Sequence, residues 1–357
     1  MNVVLISGFV EGNQNHSHKQ IVLTKNDSAM IKPTRAFSSQ WLAPYRLQTD
    51  MPADALITAI HEQTGMTGLR NLFTWLGKNE DFSSIKTEVW GKEVAIFFER
   101  NNVLPTFANL SLMQAGCQFF ERNKQAISLL LGCLSLPYCY AAADGAMVLY
   151  LSQRIQQDTR KRLEETGEFI FGVMDEKAWL DETATHKILK IRLMHAAIRF
   201  FTLYSKQWNE AWGEPINQED MAGTNLAFSY IVIKGLRKTG KNPSEPEAEA
   251  FLHLWSVIGY LMGVKEELLP QNLREAFHLD KNIAKRNFKP SEAGRVLTQS
   301  LIKTLESFVP NALFKTIPTA NIRFLLGDEL ADMLGIPALK IQKRLVKVIP
   351  MSIFFSE

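Results

Sequence analysis

Two arginines flanking a histidine, at spacings of three and four residues, are the groups in this chain best placed to do chemistry. They stand in the run HKILKIRLMHAAIRFFTLY as Arg192, His195 and Arg199. At about 100° per residue, a helix brings all three within roughly 60° of one another. Ile191, Leu193, Met194, Ala196, Ala197, Ile198, Phe200 and Phe201 surround them, so the helix is apolar nearly all round and is predicted to be buried. A buried guanidinium keeps its charge and needs a partner, and a ligand bearing two carboxylates would serve two of them. Haem propionates fit that demand. His195 would then offer a neutral imidazole nitrogen to iron, with Ala196 and Ala197 leaving room for a flat macrocycle. The same spacing also fits a core helix whose arginines meet Asp or Glu elsewhere in the chain, and spacing leaves both readings open.

Upstream, RLEETGEFIFGVM sets Arg162, Glu165, Thr166 and Phe169 along one helical stripe able to wall the opposite side of a ligand. Downstream, Gly213 and Pro215 break the chain. Asn217 is then predicted to cap a helix with Asp220 in its first turn, and that helix carries Thr224 and Asn225 among apolar residues. As a plain alternative, Thr224 bonds only its own backbone. His253, in FLHLWSVIGYLMGV, is either a second axial ligand or a hydrogen-bonded core histidine, and burial favours the latter.

Taken in order, RLEET, RLMHAAIR, WGEPINQEDMAGTNLAFSY and EAEAFLHLWSVIGYLMGV resemble the family of latex clearing protein (rubber oxygenase) and the MpaB-type oxygenases, from about Pro105 to about Leu305. The resemblance implies an all-α fold, globin-like in its core, that binds haem b through the histidine of R-x-x-H-x-x-x-R. Carried over by position, it implies His195 as the proximal iron ligand and Arg192 and Arg199 as propionate or pocket residues. It also implies Arg162 and Thr166 on the distal side and Thr224 on a helix lining the pocket. The implied reaction is oxygenation by dioxygen of a hydrophobic, isoprenoid or otherwise unsaturated small molecule. One residue departs from the family. Rubber oxygenases carry a lysine immediately before that threonine, where this chain has Glu165, a carboxylate able to pass or accept a proton. The expected catalytic set is therefore Arg162, Glu165 and Thr166. The alternative from another class is a non-catalytic haem protein, a gas sensor or haem carrier.

The elements that must position these groups follow from the rest of the chain. With 357 residues, 46% of them hydrophobic, and a net charge of +3, the chain can bury a large core and does not suggest a nucleic-acid partner. Cys117, Cys133 and Cys139 lack metal-type spacing and read as buried thiols. The apolar run from Ile127 to Leu151 is interrupted by Pro137 and Asp144, which suits a buried helical pair rather than a membrane span. The opening MNVVLISGFVEGNQ has no preceding basic region, so a cytoplasmic protein is expected.

The expected organisation is an arm over 1–40, a helical extension over 41–103, an oxygenase-like haem-binding core over 104–310 and a C-terminal extension over 311–357. Within these, two short helices broken at Gly65 and Gly68 are expected over 52–77, and a hairpin, or a strand leading into a helix, around Gly91. A helix, a loop and a second helix ending near Pro137 should follow. His16 and His18 form an H-x-H able to bind metal only weakly. The tail from Ile317 onward, with Lys340, Lys343, Arg344 and Lys347 among apolar residues, either makes peripheral contact with a membrane surface or docks on the core.

Overall fold

The computed structural model describes residues 34–77, 89–152 and 159–338. It is all-helical, as expected, and no strand occurs among the described residues, whose only β pairing is an isolated Ala142–Phe288 bridge. In chain order the helices are α1 (Ser39–Leu42), α2 (Met51–Leu76), α3 (Gly91–Asn101), α4 (Leu110–Leu130), α5 (Leu136–Tyr140), α6 (Ala143–Leu151), α7 (Thr159–Met174), α8 (Glu176–Leu180) and α9 (Thr183–Tyr204). Then come α10 (Gln218–Phe228), α11 (Tyr230–Lys238), α12 (Glu245–Leu261), α13 (Leu273–Asn287), α14 (Glu292–Ser307), α15 (Ile317–Leu326) and α16 (Asp328–Met333).

Helix α9, which carries Arg192, His195 and Arg199, lies between two apolar clusters. Its Leu189, Leu193, Ala196 and Ala197 join α2 and α3 in the smaller one, around Ile57, Leu69, Trp90 and Phe97. Ile188, on another side of the helix, belongs to the larger cluster built by α4 to α7 and α10 to α16. A helix apolar nearly all round is what two such cores require of the element between them. The α4–α12 crossing anchors the larger cluster. Gly116 lets the two backbones close up, since a Cβ there would lie 2.8 Å from the Ala250 carbonyl oxygen.

Several local expectations change. The 52–77 segment is broken at Gly65, whose φ of 66° no β-carbon-bearing residue adopts cheaply, but Gly68 is helical. In place of a hairpin or strand at Gly91, α3 begins there, because Val94, Phe97 and Phe98 at helical spacing bury one face; residues 78–88 of that expectation lie outside the described residues. In place of a helix, a loop and a second helix ending near Pro137, α4 runs unbroken to Leu130 and passes through a π-helical turn over Leu131–Ser135 into α5, which continues past Pro137 to Tyr140. Proline has no N–H for a partner four residues back, and the wider turn shifts the hydrogen bonding just before Pro137: the Leu136 N–H reaches back to the Leu131 carbonyl. Asn217 caps α10 as expected, its Oδ1 accepting from the Asp220 N–H at 2.9 Å.

Helices α15 and α16 dock on the core through Ile322, Leu325 and Ala331. Lys340, Lys343, Arg344 and Lys347, together with His16, His18 and most of the N-terminal arm, lie outside the described residues. Among the described residues no helix is long and apolar enough to cross a membrane.

Gly263, just past α12, combines a left-handed φ of 88° with a close approach: a Cβ would stand 2.4 Å from Asp50 Oδ2 and 2.8 Å from Arg192 Nε. Gly263→Ala is therefore expected to lower stability by about 2 kcal/mol or more, combining backbone strain of about 1–3 kcal/mol with displacement of a buried ion pair. Urea denaturation measures it.

Candidate active site

The face that the spacing assigned to Arg192, His195 and Arg199 divides in the folded chain. The arginines turn toward the start of α2. Arg192 is bidentate to Asp50, Nε to Oδ2 at 2.6 Å and Nη2 to Oδ1 at 2.8 Å, and its Nη1 donates to Asn101 Oδ1 at 3.0 Å. Phe97 covers the guanidinium, 5.4 Å from ring centre to Cζ. Arg192 is thus matched within the chain: Asp50 occupies the fork that the spacing offered to a ligand carboxylate. Arg199 donates from Nε to Asp54 Oδ1 at 2.7 Å and from Nη1 to the Ile216 carbonyl at 3.2 Å. Its Nη2, however, is buried with no partner. A guanidinium N–H enclosed without an acceptor costs free energy, so Arg199 retains a donor to offer an anion.

His195 lies about 60° round the helix from Arg192 and answers to different neighbours. The His195 side chain is half-buried. Its Nδ1 is buried without a hydrogen-bond partner. Burial, then the cations of Arg199 and Arg162, hold its pKa down to about 4, so the imidazole is neutral at neutral pH. Neutral imidazole is the form that ligates a metal.

Arg162 of α7 is half-buried and its charge acts on two groups, His195 and the Tyr140 phenol at the end of α5. Burial pushes Tyr140 up to about 12, with Arg162 opposing. Beside Tyr140, the Cys139 thiol is likewise raised to about 12 by burial, against a hydrogen bond with the Thr224 hydroxyl. Thr224 is exposed and donates to the Asp220 carbonyl at 2.9 Å, satisfying itself within its helix as the plainer reading allowed.

The α7 stripe does not stay together. Thr166 is half-buried and its hydroxyl donates to the Arg162 carbonyl at 2.7 Å. Glu165, expected on the distal wall, sits on the solvent side of α7, 52% exposed, with Oε1 3.9 Å from Lys161 Nζ. Glu165 and Thr166 are about 100° apart on the helix, enough to send one outward and the other inward. Exposed i,i+4 pairs contribute about 0.3–0.5 kcal/mol, so Glu165→Gln is expected to leave stability within about 0.5 kcal/mol of wild type. Denaturation of the two proteins side by side measures it.

His253 is a bonded core histidine, as burial favoured: its Nε2 accepts from the Asn109 N–H at 2.9 Å. Asp144 pairs with Lys289 at 3.0 Å. Asp50, Asp54 and Tyr140 were not singled out from sequence, and Cys139 was read only as a buried thiol. The signal for the first two was TDMPAD, two carboxylates four apart around a proline that starts a helix; nothing in the sequence marked Tyr140.

Among the described residues, no three His, Cys, Asp or Glu side chains cluster closely enough to hold a metal ion. A single imidazole nitrogen can serve as one ligand to a metal that brings most of the others with it, as iron in a macrocycle does. The neutral imidazole and the unmatched Arg199 donor fit such a group, one supplying a nitrogen ligand and the other a contact for an acidic substituent.

Residues 125–350 match the family described as ER-bound oxygenase mpaB/B′/Rubber oxygenase, catalytic domain. The rubber oxygenase of Streptomyces sp. (strain K30) is 25% identical over 266 residues, covering 73% of this chain and 65% of its own. The chain thus spans just under two thirds of that relative's length. The structure of latex clearing protein LCP in the closed state superposes with a TM-score of 0.72 at 20% identity, covering 88% of this chain and 85% of that one, which establishes a shared fold.

Proposed function

The chain belongs to the mpaB/B′ and rubber oxygenase catalytic-domain family, and from that premise we propose that it is a haem b-dependent oxygenase, with a globin-like haem-binding core, acting on a hydrophobic, unsaturated substrate with dioxygen. The observation that carries the reading is His195, a neutral, half-buried imidazole with its Nδ1 unpartnered, beside Arg162 and Arg199. His195 would hold the iron, and the free Nη2 of Arg199 would bind a haem carboxylate. When bound, the haem supplies the dioxygen chemistry.

The residues around it divide the remaining work. Arg162 keeps a positive charge near His195, which disfavours protonation of the imidazole and favours an anionic group placed beside it. Tyr140 keeps its phenolic proton at neutral pH and so remains a hydrogen-bond donor. Thr166 spends its hydroxyl proton on the α7 backbone, so in this arrangement it offers a ligand only oxygen lone pairs. Glu165, facing solvent, takes no part.

The substrate class rests on the family and on the apolar packing around α7 and α9. Incubation with ¹⁸O₂ and squalene tests it: consumption of dioxygen with ¹⁸O appearing in carbonyl products of squalene, and none with its saturated analogue squalane, is the expected result. A haem-loaded protein that consumes no dioxygen with any unsaturated hydrocarbon would count for a binding protein instead.

A further inference from the structure

A recess lies where the start of α2, the end of α3 and the turn after α12 meet. It is a cleft of about 620 Å³, within the range of about 300–1,000 Å³ in which proteins hold small ligands. Its floor is the Arg192–Asp50 pair, already matched, with Asn101 and Gln218. Asn101 serves Arg192 and the Phe97 carbonyl, while Gln218 bridges Thr49, Gly263 and Lys265. The floor therefore has little left to offer a polar ligand.

The walls differ. Leu47, Met51 and Val103 stand 70%, 76% and 60% exposed, an unusual concentration of bare aliphatic surface around one opening. Arg100, exposed at the same cleft, makes no ion pair or hydrogen bond among the described residues, and the partly exposed Tyr260 lines it too. Lys265 is held by Gln48. Three cations (Arg100, Arg192, Lys265) and two carboxylates (Asp50, Glu266) line the cleft, so its balance is one positive charge.

We propose that this cleft binds an anionic amphiphile, a single carboxylate on an aliphatic chain, with the chain against Leu47, Met51 and Val103 and the carboxylate on Arg100. Apolar walls remove the chain from water, and the unpaired guanidinium selects the charge. This site stands apart from the reading of His195 and does not depend on it.

Calorimetric titration of the full chain with decanoate and with decanol, both kept monomeric, tests the proposal. Wild type is expected to bind decanoate about tenfold more tightly than decanol, the yield of one partly solvated charge-assisted bond. Arg100→Gln should remove that preference while leaving decanol binding unchanged. Met51→Glu, at a helix start where an acidic side chain is favourable, should fold normally and lose decanoate binding. Equal affinity for the two probes in wild type, no binding of either, or decanoate binding undisturbed in both variants would overturn the proposal, the last by placing the ligand elsewhere in the protein.

Discussion

Asp50→Ala is expected to destabilise the fold by about 3–5 kcal/mol, the cost of leaving a buried charge without its partner. Asp50 is 3% exposed and Arg192 8%, and both carboxylate oxygens are engaged by the guanidinium. Removing the carboxylate leaves Arg192 with Asn101 alone, beneath Phe97 and against Gly263. Replacing both partners, as in Asp50→Ala combined with Arg192→Leu, should recover much of the loss, because an apolar side chain bears no desolvation penalty there. Urea denaturation of the two single variants and the double variant gives the coupling. A loss under about 1 kcal/mol for Asp50→Ala would mean that Arg192 draws on another carboxylate, such as a ligand's, and would restore the role that the spacing suggested.

His195→Ala is expected to have the largest functional effect: near-complete loss of haem, with affinity falling by more than the 10–100-fold that removing an outer-shell partner typically costs. The fold should survive, because Leu189, Leu193, Ala196 and Ala197, not His195, fasten α9 to the smaller core. His253→Ala is the matched control. It breaks the bond from the Asn109 N–H, lowers stability modestly, and should leave haem content at the wild-type level. Haem per chain by pyridine haemochromogen assay, beside far-UV circular dichroism, separates the two outcomes.

The pattern in the sequence reached the buried α9 helix, the Asn217 cap and the burial of the 127–151 run, because each is set by local spacing or by one side chain's chemistry. It did not reach the partners of the arginines. Asp50 and Asp54 lie more than 140 residues upstream, and only the packing of α2 on α9 brings them together. Without them, two arginines on an apolar helix pointed to a ligand with two carboxylates, whereas the fold leaves one unmatched nitrogen, Arg199 Nη2. Glu165 shows the same limit on a smaller scale. A stripe drawn over Arg162, Glu165 and Thr166 spans about 100°, wider than the boundary between core and solvent on α7, and residue type alone does not say where that boundary falls. The π-helical turn before Pro137 was missed because a proline in an apolar helical run reads as an end, and only surrounding helices supply a reason to continue.

The central claim is that the His195 side chain itself carries the metal bond, and cavity rescue tests it most directly. His195→Gly is purified from cells supplied with haem, then titrated with haem in the presence and absence of imidazole, and the Soret and visible bands are recorded. The expected result is weak, non-specific haem uptake by the variant alone and, with imidazole in the vacated space, a spectrum returned to that of the wild-type protein. A His195→Gly protein that keeps haem with an unaltered spectrum, or a wild-type protein that takes up none, would contradict the account.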